Sequence, residues 1–153
     1  MVYLRKILVT TDLSEFSLAA MEYASTFGLL FASRIFLLNV VEGKEGHTRR
    51  FEVDPQAALE EFISKQINPD IKLIPVVRFG NPASEIKKFA EEEQVDLVVI
   101  ATHGRTGLEH MVMGSVAEKV VRLSNIPVLA VKPHPMRESI LHSEDVEKEL
   151  HLR

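Results

Sequence analysis

A doubly wound α/β fold, with a parallel sheet covered by helices on both faces, is predicted by three observations. Short apolar runs alternate with longer segments of helical periodicity, in the order strand, helix, strand, helix, strand, helix, strand, helix, strand. The run Leu97-Val98-Val99-Ile100-Ala101 is apolar throughout, as expected of a strand buried on both faces. Asp54-Pro55 and Asn81-Pro82 each place a capping side chain before a proline whose fixed φ suits the first helical position. Such an alternation builds a parallel sheet through right-handed crossovers, and ligands then bind at the carboxyl ends of the strands, where the strand order reverses.

The elements follow in order. Ile7-Leu8-Val9-Thr10 is the first strand. Ser14 to about Leu30 is a helix, with Leu18, Met21, Tyr23 and Phe27 among its apolar positions. Arg34 to Val41 is the second strand, and the polar segment Glu42 to Val53 reads as a loop. A helix opens at Asp54 and runs to about Gln66. Lys72 to Val77 is a third strand, and Pro75 places it at an edge because proline cannot donate to a ladder. The helix opened by Asn81 runs through Ile86, Phe89 and Ala90 to about Glu93. Leu97 to Ala101 is the fourth strand. Ser115 to about Ser124 is a helix whose Ser115 and Glu118 have the spacing of a capping box. Pro127 to Val131 is the fifth strand. Residues 1–133 read as one domain and 134–153 as a charged tail, in which Ser143 to Leu150 could form a short exposed helix.

With 153 residues, 46% of them hydrophobic, the chain is long enough for one core, burying roughly 70% of its unfolded surface. It has no cysteine, which excludes disulfides, thiolate catalysis and cysteine-based zinc sites and fits a reducing cytoplasm. A net charge of −4 argues against a nucleic-acid or anionic-membrane surface, but a local phosphate pocket can be built from backbone amides. No apolar run approaches the roughly 20 residues of a membrane span, so no membrane partner is expected.

The segment Ala101-Thr102-His103-Gly104-Arg105-Thr106-Gly107, continued at Gly114-Ser115-Val116-Ala117-Glu118, carries the chemistry. Glycines let backbone N–H groups approach a ligand, and a helix N-terminus favours an anion, so Gly104, Gly114 and Ser115 form a candidate phosphate cradle. Ser115 as a plain cap and Gly104 as a plain turn residue are the competing readings. Asp12 reads both as a helix cap, with Glu15 three residues on, and as an acceptor for a ligand, two compatible roles. Arg105 could reach a phosphate or be solvated. His103 lies beside the cradle without an identified nucleophile or orienting partner, and the other histidines lack metal-ligand spacing. The signatures GxxxxGK[ST], GxGxxG and GxSxG are absent.

These residues resemble the universal stress protein family. Its nucleotide signature is glycine, two residues, glycine, nine residues, then glycine and a hydroxyl residue. Here it reads Ala101, two residues, Gly104, nine residues, Gly114-Ser115. The opening Ile7-Leu8-Val9-Thr10-Thr11-Asp12-Leu13-Ser14-Glu15 and the closing Asn125-Ile126-Pro127-Val128-Leu129-Ala130-Val131 also match the family. Alanine replaces the first signature glycine, and Thr10 stands where relatives often have proline. The resemblance implies an adenine nucleotide alpha hydrolase-like sheet of five strands in the order 3-2-1-4-5. It implies a site in which Thr10, Asp12 and the backbone of Val40 lie near adenine and ribose. Gly104, Gly114 and Ser115 would hold phosphate, and Ile100 and Ala101 at the end of the fourth strand, Arg105 after it and Val116 on the last helix would complete the cofactor site. ATP with Mg2+, and a homodimer through the last strand, are the implied cofactor and assembly. The function expected is a nucleotide-dependent regulatory or stress-response module. A slow ATPase and a nucleotide-independent interaction module are the alternatives, and the chain offers no obvious general base for efficient phosphoryl transfer.

Overall fold

Each of the five predicted strands forms, and they lie side by side as one parallel sheet in the order β3-β2-β1-β4-β5. The structure, a computed structural model, describes residues 1–44, 54–104 and 113–133. Its strands are β1 (Lys6–Thr11), β2 (Arg34–Val41), β3 (Leu73–Phe79), β4 (Leu97–Ala101) and β5 (Val128–Val131). The helices are α1 (Leu18–Phe31), α2 (Pro55–Gln66), α3 (Pro82–Glu92) and α4 (Ser115–Leu123). The tail 134–153, with its expected helix at 143–150, lies outside the described residues, as do 45–53 of the long loop.

Alternation along each strand sends side chains to two cores. Leu8, Phe36, Leu38, Val98 and Ile100 pack under α3 and α4, whereas Ile7, Val9, Leu37 and Val99 pack under α1 and α2. Central strands buried on both faces cannot show a polar side, which is why β1, β2 and β4 read as continuous apolar runs. Phe36 meets Phe89 edge to face at 5.4 Å, joining β2 to α3. As Pro75 predicts, β3 is an edge strand, with Pro75 opposite Leu37. The opposite edge, β5, carries neither proline nor charge between Val128 and Val131.

Two helix starts differ from expectation. The first helix does not begin as α-helix at Ser14. A 3-10 turn, Glu15–Ser17, precedes α1, because the Ser17 amide and hydroxyl both donate to the Ser14 carbonyl, at 3.2 and 2.7 Å. In α4 the cap is Gly114, extended at φ −68° and ψ 155°, and Ser115 is already the first helical residue. A capping box needs its hydroxyl on the extended cap residue, so Ser115 and Glu118 do not form one. Glu118 instead donates its amide to the Gly114 carbonyl and pairs with Arg122. By contrast, Asp54 and Asn81 do cap α2 and α3, accepting from the amides of Ala57 and Ser84. Among the described residues no helix is long and apolar enough to cross a membrane.

Candidate functional site

The strand order reverses at β1, which pairs with β2 on one side and β4 on the other. The carboxyl ends of β1 and β4 therefore open the crevice where a ligand of this fold class sits. From β1 the chain turns sharply, with Leu13 in the left-handed region at φ 64°. Asp12 is not the helix cap. Its Oδ1 accepts from the Ser14 amide at 3.0 Å and the Ser14 hydroxyl at 2.5 Å, a turn closed by the side chain two residues back. Beneath it, Thr11 Oγ1 lies 2.7 Å from Ser17 Oγ and accepts from the Leu13 amide at 2.9 Å. Asn39, buried at the end of β2, donates to the Thr11 carbonyl at 2.9 Å.

From β4 the chain enters the glycine segment. The Thr102 amide extends the ladder to the Val131 carbonyl, and the Thr102 carbonyl receives the Gly114 amide at 2.5 Å. This clasp ties the start of the loop to its end, and so brings Gly104 and the first turn of α4 to one place. Thr102 Oγ1 also lies 2.8 Å from His103 Nδ1. A Cβ on Gly104 would stand 2.6 Å from Asp12 Oδ2, and one on Gly114 would stand 3.1 Å from the Thr102 carbonyl oxygen. At both positions the neighbouring atoms fill the space a side chain would take.

The sequence-predicted residues divide accordingly. Asp12 and Gly104 face each other across the reversal, and Gly114 is clasped beside them, opening the helix on which Ser115 is exposed. Thr10 is buried opposite Leu38. Val40, one strand away, packs against the α3–α4 core, as does Val116, and Ile100 is a member of it. Ala101 packs against the α1–α2 core, so the methyl group that replaces the signature glycine is directed there. Arg105 lies outside the described residues. Sequence reasoning missed Ser14, Ser17, Thr11 and Asn39 as the frame of the Asp12 turn. The spacing of Asp12 and Ser14 was the available signal, since aspartate commonly accepts from the amide two residues on.

The described residues also show a shallow open recess over the ends of β2 and β3, lined by Glu42, Gly43, Gly80, Asn81 and Pro82. It lies away from the reversal, so the crevice between β1 and β4 is the better candidate for a ligand site. No group of three His, Cys, Asp or Glu that could hold a metal occurs among the described residues.

The chain is similar to known proteins over most of its length. Universal stress protein MJ0577 of Methanocaldococcus jannaschii is 32% identical, with 84% of this chain and 94% of that protein covered. The solved structure of MJ0577 superposes with a TM-score of 0.70, covering 88% of this chain and all of that one at 33% identity. A universal stress protein solved in complex with cAMP has a TM-score of 0.64 at 21% identity, covering 86% of this chain and 98% of that one. One from Archaeoglobus fulgidus, solved in complex with dAMP, has a TM-score of 0.62 at 20% identity, covering 86% of this chain and 100% of that one. The latter two likenesses show the fold. The Universal stress protein family model matches residues 4–132, and with the relative at 32% identity this establishes that the chain belongs to the universal stress protein family.

Proposed function

We propose that this chain is an adenine-nucleotide-binding regulatory module, with ATP in the crevice between β1 and β4. The observation that carries the reading is the apposition of Gly104 and Asp12 Oδ2 across the strand-order reversal, with Gly114 clasped to Thr102 beside them. Glycine at both positions lets the backbone come this close to Asp12 Oδ2 and the Thr102 carbonyl, where a Cβ would collide, and leaves backbone groups to line the wall of the crevice. In this reading Asp12 accepts hydrogen bonds from adenine or ribose, with Thr10 and the Val40 backbone beside it. Gly104, Gly114 and the exposed Ser115 at the start of α4 meet the phosphates, where backbone amides and the helix dipole favour negative charge. Ile100, Ala101 and Val116 hold that wall in place, and Arg105 offers a cation to the phosphates. Mg2+ would be carried by the phosphate oxygens, which suit its preference for hard ligands. The cAMP and dAMP complexes of related folds support an adenine nucleotide as the ligand class.

The module spans residues 1–133, and the working assembly is a homodimer through β5. A strand edge without charge or proline invites pairing, whereas β3 is blunted by Pro75. Nucleotide regulates by favouring one dimeric or partner-binding state over another, which requires a difference in affinity between the two states. The cysteine-free composition suits the cytoplasm.

The test is mass analysis of the small molecule released when the purified protein is denatured, followed by calorimetry with ATP and cyclic AMP. Retained or added ATP, bound at one site per chain, is expected. Absence of any bound nucleotide in both experiments refutes the reading.

A further inference from the structure

The Asp12 turn is held by a network whose hydroxyl protons all have one direction. Ser17 Oγ donates its only proton to the Ser14 carbonyl at 2.7 Å. In the buried contact between Thr11 Oγ1 and Ser17 Oγ, Thr11 must therefore be the donor. Thr11 Oγ1 in turn accepts the Leu13 amide, which closes the left-handed turn at that residue. Thr11 and Ser17 are both buried, so this frame is shielded from water. Ser14 stands on top of the frame, its carbonyl engaged by Ser17 and its amide and hydroxyl both directed at Asp12 Oδ1.

Two donors on one carboxylate oxygen have a geometric consequence. An aspartate side chain has only two rotatable bonds, so fixing Oδ1 also fixes where Oδ2 points. Here Oδ2 lies against Gly104, on the wall of the crevice that follows β4. We propose that Ser14 is a positioning residue for the nucleotide site, holding the Asp12 carboxylate in its ligand-binding position beside Gly104 before the ligand arrives. The proposal rests on the nucleotide reading of the crevice. It adds that affinity comes partly from preorganisation of Asp12 by a hydroxyl that itself touches no ligand atom, which lowers the ordering cost of binding.

The test is calorimetric titration of ATP into the full chain and its variants. Ser14→Ala keeps the backbone amide but removes the hydroxyl, and should weaken binding about tenfold, the low end for a hydrogen bond to a charged group. Ser14→Thr restores the hydroxyl on an extended backbone, φ −86° and ψ 157°, that suits a β-branched residue, and should bind within about twofold of the parent. In an Asp12→Asn background, Ser14→Ala should cost little more, because the group it positions is already impaired. Circular dichroism melts of each variant establish that it is folded. Ser14→Ala binding like the parent overturns the proposal, and so does a tenfold loss that persists undiminished beside Asp12→Asn. A parent chain that binds no nucleotide overturns the nucleotide reading itself, a result distinct from either of these.

Discussion

Replacing Gly104 by alanine tests the crevice most directly. Its φ does not lie in the left-handed region, so the backbone accepts an alanine and the effect is steric alone. The new Cβ would stand 2.6 Å from Asp12 Oδ2, and ordinary van der Waals contact begins at 3.4 Å. The carboxylate must therefore retreat by about 0.8 Å, and the two bonds from Ser14 oppose that movement. Overpacking of this kind costs about 1–3 kcal/mol, offset by about 0.4–1 kcal/mol because alanine restricts the unfolded chain. A net loss near 1 kcal/mol lowers the melting temperature by about 2–4 °C in a chain of this size. The effect on ligand is larger in proportion. A hydrogen bond to Asp12 lengthened by about 0.8 Å passes beyond bonding distance, and losing one to a charged group costs about 1.5–3 kcal/mol. Calorimetry should then report ATP binding weakened by about 10- to 100-fold. Gly28→Ala is the comparator: its Cβ would collide with Ile35 Cδ1, in the core beneath α1. It should lower stability by about 1–3 kcal/mol and leave the affinity of the folded protein unchanged. Equal affinity for the parent and Gly104→Ala would refute the assignment of the crevice.

Three further outcomes are expected. Leu37→Ala, at a fully buried position on β2, should cost about 2–5 kcal/mol in urea unfolding. Val128→Lys puts a charge on the β5 edge at a position that also packs against the α3–α4 core. If β5 is the proposed dimer interface, the variant, shown folded by a circular dichroism melt, should be monomeric in light scattering where the parent is dimeric, and an unchanged mass would exclude β5 as the interface. The Glu61 carboxyl is held below its usual value, first by its hydrogen bond to Lys65 and second by the Lys65 charge. Its stabilising contribution is present above the unfolded value and is lost as pH falls through the lower folded one. Lys65→Ala should raise the Glu61 midpoint in an NMR titration while leaving the melting temperature unaltered, because the pair is solvent-exposed.

The elements were legible where one local signal decided them. Pro75 placed β3 at an edge because a missing N–H is a property of the residue itself. Asp54 and Asn81, each followed by proline, marked helices that begin where expected, since a cap acts within one turn. Ser115 and Glu118 had an equally clear spacing but failed, because the loop clasp between Thr102 and Gly114 delivers glycine to the cap position. That clasp joins residues whose separation in the chain carries no periodic signal.

The candidate site shows the same division. Sequence alone determined five apolar strands, the helices between them, and the spaced glycines, since periodicity and residue type act locally. Tertiary structure decided that Gly104 lies against Asp12 Oδ2, although they are far apart in the chain. It also directed the Ala101 methyl into the α1–α2 core, where strand alternation and the packing of α1 send it. Only the fold could decide either point, because each depends on which atoms of distant segments occupy the same space.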